Sequence, residues 1–268
     1  MSAPGARLAA AFARRRADDL PGLVAYVTAG YPRLSDTPDL LKAAERAGCI
    51  AAEVGIPFSD PLADGPTIQR SSHQALSNGI TVNRALDHVA SARGAGVSLP
   101  LALMTYVNPV LSYGSARFCA DAAAAGADAL IVPDLPAGEA GELQVEAERS
   151  GLALIFMLAP TTTEARLREA CARGSGFVYC VSVTGITGAR SHISEEAFEL
   201  LARVGRFTDL PRALGFGLSR HEHLEALRGH AEAAVVASAL IDAIAVGGDD
   251  PVGVAERFLA AMLRGGTG

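Results

Sequence analysis

Lysine is almost missing from this chain. It occurs once in 268 residues, at Lys42, in a segment whose apolar spacing predicts an outer helix. A Schiff-base mechanism requires a lysine amine beside the substrate, so that chemistry is excluded. The net charge of −6 gives no reason to expect nucleic acid or an anionic membrane as a partner. No apolar run approaches the length of a membrane-spanning helix.

Cysteine and histidine are sparse in the places where they could do chemistry. The cysteines fall in predicted helix ends or strands without CxxC spacing, which predicts reduced, buried thiols at Cys49, Cys119, Cys171 and Cys180. No histidine follows a predicted strand. His221 and His223 flank Glu222 at a helix start, where a solvated face is favoured over a metal site. We therefore expect neither a metal nor a cofactor.

Continuous apolar strands alternate with helices along the chain. This pattern predicts a parallel sheet buried on both faces. Eight strand–helix units match a closed (β/α)8 barrel, the TIM barrel. The alternative is an open doubly wound sheet, but the first turn lacks the glycine pattern of a dinucleotide site. The predicted strands begin near Leu23, Ala51, Leu101, Asp128, Leu152, Phe177, Ala213 and Glu232.

Three helices are predicted beyond the regular units. An extra N-terminal helix covers Gly5–Leu20, and short helices follow the second and eighth strands at Pro66–Ser77 and Leu240–Ala245. No linker or low-complexity segment divides the chain, so we expect a single domain over residues 1–268. Arg14, Arg15 and Arg16 follow an apolar patch, the reverse of a secretory signal, which favours a mature cytoplasmic protein.

One carboxylate interrupts the second strand. Because side chains alternate along a strand, Glu53 and Gly55 point to the face opposite Val54. If Val54 packs under the helices, Glu53 faces the interior, where an ionised carboxylate is costly unless it is paired or used in chemistry. Two interpretations stay open: a catalytic acid, or a buried acid tied to backbone amides.

In such a barrel the reacting groups lie at the carboxyl ends of the strands. The candidates there are Glu53, Asp60, Asp64, Tyr106, Asn108, Asp134, Tyr179 and Thr187. These side chains predict proton transfer without covalent or metal help. Asp64 is alternatively a turn residue, since Asp-Gly-Pro favours a turn, and the tyrosines are alternatively core aromatics.

Glycine-rich turns follow the last three strands. Thr187-Gly188, Gly215-Phe216-Gly217 and Ala237-Ser238 lie where barrels commonly bind phosphate. Backbone N–H groups at such turns and at a helix N-terminus bind anions without a lysine. We therefore expect a phosphorylated substrate, the alternative being glycines needed only for tight turns.

The run EVGIPFSDPLADGPTIQ, from Glu53 to Gln69, resembles the signature of the tryptophan synthase alpha subunit family. YVTAGYP, ALMTYVNPV, IVPDLP, TGITGA and GFGLS follow in the family's order, so the resemblance covers nearly the whole chain. It implies a (β/α)8 barrel that cleaves indole-3-glycerol phosphate to indole and glyceraldehyde 3-phosphate. It also implies a PLP-dependent β subunit as partner in an α2β2 complex. A stand-alone lyase and a non-catalytic activating subunit are the alternatives.

The resemblance also implies roles for individual residues. Glu53 corresponds to the family's proton carrier at indole C3, and Asp64 to the acid near the indole nitrogen. Ala237 stands where the family usually has glycine. Glycine allows the backbone to approach the phosphate more closely or to adopt a positive φ. We therefore predict a working but weaker phosphate site. The remaining positions are Tyr106, Tyr179 and Thr187 for substrate, Gly188, Gly217, Ala237 and Ser238 for phosphate, and Asp60 for partner contact.

Overall fold

Parallel strands form the centre of the molecule. The computed structural model describes residues 4–16, 20–182, 193–215 and 217–265. Within them, nine strands pair in the order β5-β4-β3-β2-β1-β9-β8-β7-β6. The strands are β1 Gly22–Thr28, β2 Ala51–Gly55, β3 Leu101–Met104, β4 Ala129–Ile131, β5 Ala153–Ile155, β6 Met157–Leu158, β7 Val178–Val181, β8 Arg212–Gly215 and β9 Ala233–Val236.

The sheet closes through a bend in one strand. The predicted strand Leu152–Leu158 is divided at Phe156 into β5, which pairs with β4, and β6, which pairs with β7. The Tyr179 amide donates to the Phe156 carbonyl at 3.2 Å, so the bend itself is bonded to the next strand. Counted as one bent strand, β5 and β6 complete an eight-stranded ring, and the predicted (β/α)8 barrel is confirmed.

Helices pack around the outside of this ring and across its amino end. They are α1 Ala6–Arg16, α2 Thr37–Ala47, α3 Pro66–Ser77, α4 Val82–Gly94, α5 Val107–Tyr113, α6 Ser115–Ala125, α7 Gly141–Arg149, α8 Glu164–Arg173, α9 Glu195–Val204, α10 His221–Ala226, α11 Ser238–Val246 and α12 Pro251–Arg264. The three extra helices are present as α1, α3 and α11. Sequence reasoning missed α5, because Asn108-Pro109 suggested a loop; a proline is tolerated in a helix's first turn.

Two apolar layers stabilise the barrel. Outward-facing strand residues such as Leu23, Val54 and Leu103 pack beneath the helices. Several inward-facing positions are alanines, including Ala102, Ala129 and Ala213. Because alanine fills little space, the interior keeps room for larger side chains from a few strands.

The N-terminal helix covers the amino end of the ring. Leu8 and Phe12 are fully buried, and the Phe12 ring stacks on Phe177 with centroids 5.1 Å apart. Burying each such side chain contributes about 1.5–3 kcal/mol. Arg7 Nε bonds to the buried Asp128 carboxylate at 2.7 Å, directly before β4. This end is therefore closed, and the open end lies at the strand carboxyl termini.

Two properties of the described residues complete the fold. All four cysteines are reduced and buried, as predicted. None of the helices in the described ranges has the length and apolar character to cross a membrane.

Candidate active site

Glu53 lies inside the barrel, on β2. It is in register with Tyr26 of β1 and Ala102 of β3, and its side chain is fully buried. Neither carboxylate oxygen has a hydrogen-bond partner among the described residues. The interpretation as an acid tied to backbone amides is therefore wrong. Burial raises the pKa of Glu53 to about 8, so the carboxyl group is protonated at neutral pH.

Two glycines make room for tyrosine rings near Glu53. A Cβ on Gly55 would collide with the Tyr26 hydroxyl, and a Cβ on Gly215 would lie 2.5 Å from the Tyr179 ring. Burial and the nearby Glu53 carboxylate both raise the pKa of Tyr179 well above its usual value. The phenol is therefore a neutral group of the barrel interior.

Asp64 lies on the loop between β2 and α3 and is fastened there by a tyrosine. The Tyr106 hydroxyl accepts the N–H of Ala63, the residue before Asp64, at 2.9 Å. Burial raises the pKa of Asp64 to about 6, against a smaller lowering effect of the Tyr106 hydroxyl. Asp64 is consequently ionised for the most part at neutral pH.

Three other strand-end candidates, Asp60, Asn108 and Asp134, are exposed. Asp134 Oδ1 accepts the Val107 N–H at 2.8 Å and so satisfies the start of α5. Asn108 is exposed on that helix. Asp60 is also exposed, and its carboxylate accepts the Ser59 hydroxyl at 2.6 Å. Asp134 is therefore a helix-capping residue, a role that its place after a strand did not reveal.

The predicted phosphate positions lie partly within the described residues. Gly217, after β8, has a φ of +77°, which glycine adopts without strain. Ala237 precedes α11 with a φ of −123°, so this turn does not require a positive φ. Ser238 begins α11, after β9, which neighbours β8 in the sheet. Thr187 and Gly188 lie outside the described residues.

His223 departs from its predicted position on a solvated face. It is buried, and its Nδ1 accepts the Ser219 N–H at 3.1 Å, within the turn that follows Gly217. The prediction was wrong because the His223 side chain turns back onto the residues that precede α10 instead of facing solvent. Within the described ranges, no group of three His, Cys, Asp or Glu side chains could hold a metal ion.

Sequence reasoning also missed Tyr26 as a lining residue. Its hydroxyl lies against Gly55. Burial raises the pKa of Tyr26, and the charges of Asp64 and Glu53 raise it further. The alternation of side chains along β1 could have identified Tyr26, since it shares the inward face with Val24.

The fold and the site together define a (β/α)8-barrel protein with two carboxyl groups of unlike pKa, Glu53 inside the barrel and Asp64 on the loop after β2. A family model for the tryptophan synthase alpha chain matches residues 12–263. The tryptophan synthase alpha chain of Roseiflexus castenholzii is 48% identical over 238 residues, 89% of this chain and 91% of that protein. The chain belongs to the tryptophan synthase alpha chain family.

Solved structures give the same result. A tryptophan synthase structure from Mycobacterium tuberculosis is 36% identical, with a TM-score of 0.88 over 98% of this chain and 99% of that one. A chain from the tryptophan synthase α2β2 complex of Pyrococcus furiosus is 39% identical, with a TM-score of 0.86 over 91% of this chain and 98% of that one.

Proposed function

We propose that this chain cleaves indole-3-glycerol phosphate to indole and glyceraldehyde 3-phosphate, with Glu53 and Asp64 as its acid and base. The observation that carries the proposal is the Glu53 carboxyl group, buried in the cavity without a hydrogen-bond partner among the described residues. Burying an unpaired carboxyl group lowers the stability of the fold. Such groups are typical of active sites, where the reaction uses them.

The reaction needs opposite proton transfers at the same time. Breaking the bond between indole C3 and the glycerol chain requires a proton at C3, loss of a glycerol hydroxyl proton and electron release from the ring nitrogen. Glu53, with a pKa of about 8, holds a proton that it can deliver to C3. Asp64, with a pKa of about 6, is the base or counter-charge for the ring N–H. Environments that separate two carboxyl pKa values are typical of acid/base pairs.

The phosphate of the substrate would bind at the rim that follows β8 and β9. Gly217 and the Ala237-Ser238 turn are brought to this rim by adjacent strands. The N-terminus of α11 offers backbone N–H groups and the positive end of the helix dipole to an anion. Thr187 and Gly188 complete the predicted set.

A β subunit would dock on the same end of the barrel and form an α2β2 heterotetramer in the cytoplasm. Leu62 and Leu111 follow β2 and β3 and are 94% and 59% exposed, beside the exposed Asp60. Large apolar side chains held in water at one rim are typical of a protein interface. The Pyrococcus furiosus relative belongs to an α2β2 complex with mutual activation. This rim therefore favours the partnered enzyme over a stand-alone lyase.

Two acid variants test the chemistry. Glu53→Gln keeps the shape but carries no transferable proton, so we expect cleavage to be abolished while the fold and ligand binding remain. Asp64→Asn should lower kcat by about 10²-fold or more, as loss of a general base does. Substantial turnover by the Glu53 variant would exclude it as the proton carrier.

The partner proposal has its own test. Leu62→Ser should weaken association with a β subunit and the mutual activation measured with it, since an exposed interface leucine is lost. Val246 is 85% exposed at the carboxyl end of α11, away from this rim, so Val246→Ser is the matched control and should not weaken binding. Equal affinities for the two variants would remove Leu62 from the interface.

A further inference from the structure

Hydrogen bonds hold the backbone on both sides of Asp64. The Asp64 N–H donates to the Pro61 carbonyl at 3.1 Å, and the N–H of Ala63 donates to the Tyr106 hydroxyl at 2.9 Å. The Asp64 carbonyl accepts from the side-chain amide of Gln69, whose Nε2 lies 2.9 Å away. Because the N–H and the carbonyl of Asp64 are both bonded, the Cα that bears its side chain has a fixed position.

Gln69 makes this contact because of where α3 begins. Gly65 is the N-cap of α3, and its carbonyl accepts the Gln69 N–H at 3.0 Å, as the first bond of the helix. The Asp64 carbonyl lies one residue earlier, before the helical hydrogen bonds start. The Gln69 side chain supplies a donor for it. One residue therefore binds two successive carbonyls and fixes the bend between Asp64 and the helix.

The helix that bears Gln69 is anchored near both of its ends. In its second turn, Arg70 pairs with Asp242 of α11 at 2.9 Å, and α11 is the helix proposed to bind phosphate. Towards its other end, Gln74 and Asn78 both donate from their side-chain amides to the Pro32 carbonyl at 2.9 Å. Gln69 therefore extends from an element that has a fixed place on the barrel.

We propose that Gln69 is a positioning residue of the lyase reaction, which fixes the place of the Asp64 carboxylate by holding the Asp64 carbonyl. The proposal rests on the role proposed for Asp64 as base or counter-charge. Gln69 is exposed and does not titrate, so its side chain adds little to the core and supplies no proton. Its effect is geometric, and a shift of about 1 Å in a reacting group lowers a rate by up to about 10²-fold.

Two substitutions remove the donor and keep the length of the side chain. Gln69→Met has no side-chain N–H, and Gln69→Glu places an oxygen where the amide nitrogen lies. Both residues have helix propensities close to that of glutamine, so we expect the fold to be retained. Each variant should lower kcat for indole-3-glycerol phosphate by about 10-fold and change KM by less than about twofold, because the contacts that bind ring and phosphate are kept.

Gln74→Met is the matched control. Gln74 lies on the same helix, is also exposed and donates to a backbone carbonyl over the same 2.9 Å, but this carbonyl belongs to Pro32 and not to the loop that bears Asp64. Asn78 keeps its own bond to Pro32, so the helix stays anchored. We expect a wild-type kcat for Gln74→Met, and the same urea-unfolding midpoint for this variant and for Gln69→Met.

A double-mutant cycle with Asp64→Asn separates a positioning role from a structural one. If Gln69 acts through the Asp64 carboxylate, Gln69→Met should lower kcat by less than about twofold in the Asp64→Asn background, since the group that it positions is already lost. A general loosening of the structure would instead lower kcat by the same factor in both backgrounds.

A wild-type kcat in both Gln69→Met and Gln69→Glu would overturn the proposal, and so would an equal loss of kcat in the two backgrounds of the cycle. Failure of the proposed function gives a different result. A chain that does not cleave the substrate, or an Asp64→Asn variant as fast as the wild type, would remove the base and with it the role of Gln69.

Discussion

Glu53→Gln should make the stability of the chain less sensitive to alkaline pH. Burial raises the pKa of Glu53 from 4.5 to about 8 in the folded chain, whereas the unfolded chain ionises at the lower value. Between these pH values the folded state keeps a proton that the unfolded state has lost, so the free energy of unfolding falls as pH rises. A pKa rise of this size corresponds to about 5 kcal/mol once the window has been crossed. Glutamine cannot ionise and avoids this loss.

Urea unfolding of the wild type and the variant measures the effect. The variant's free energy of unfolding, minus that of the wild type, should increase by about 4 kcal/mol between about pH 5 and pH 9. Subtraction cancels every titrating group that the two chains share. Glu142→Gln, at an exposed position on α7, serves as the reference for the same substitution in water. A difference that stays within about 1 kcal/mol over the range would refute the view that Glu53 resists ionisation because it is buried.

Three further predictions concern the framework of the site. Gly215→Ala should raise KM for indole-3-glycerol phosphate, because the added methyl would lie 2.5 Å from the Tyr179 ring, and a wild-type KM would contradict this. Asp128→Asn should lower the free energy of unfolding by about 3 kcal/mol in denaturant titrations, because it removes the charge that pairs with Arg93 at 2.9 Å. Ala237→Gly should lower KM by letting backbone approach the phosphate more closely. An unchanged KM would leave Ala237 without a role in phosphate affinity.

Much of the fold could be predicted from the spacing of apolar residues and from the glycines and prolines at the ends of helices and strands. The helix Pro66–Ser77 begins and ends where predicted, and the helices Thr37–Ala47 and Ser115–Ala125 have equally local bounds. Local causes define these ends: α2 and α6 stop at Gly48 and Gly126, which adopt φ values of +99° and +98°. Glu53 was placed on the inward face by the alternation of a single strand. These features depend on a few neighbouring residues and on chirality, so the sequence contains them in full.

What the sequence alone determined was therefore the barrel, most of its helices and the two acids. Only the tertiary structure decided what surrounds those acids. Separate strands had to meet before Tyr26 could lie in register with Glu53, and a helix had to pack on the barrel before Ser71 could reach Thr28. A pKa depends on burial and on neighbours distant in sequence. It is not a property of a residue and its immediate neighbours.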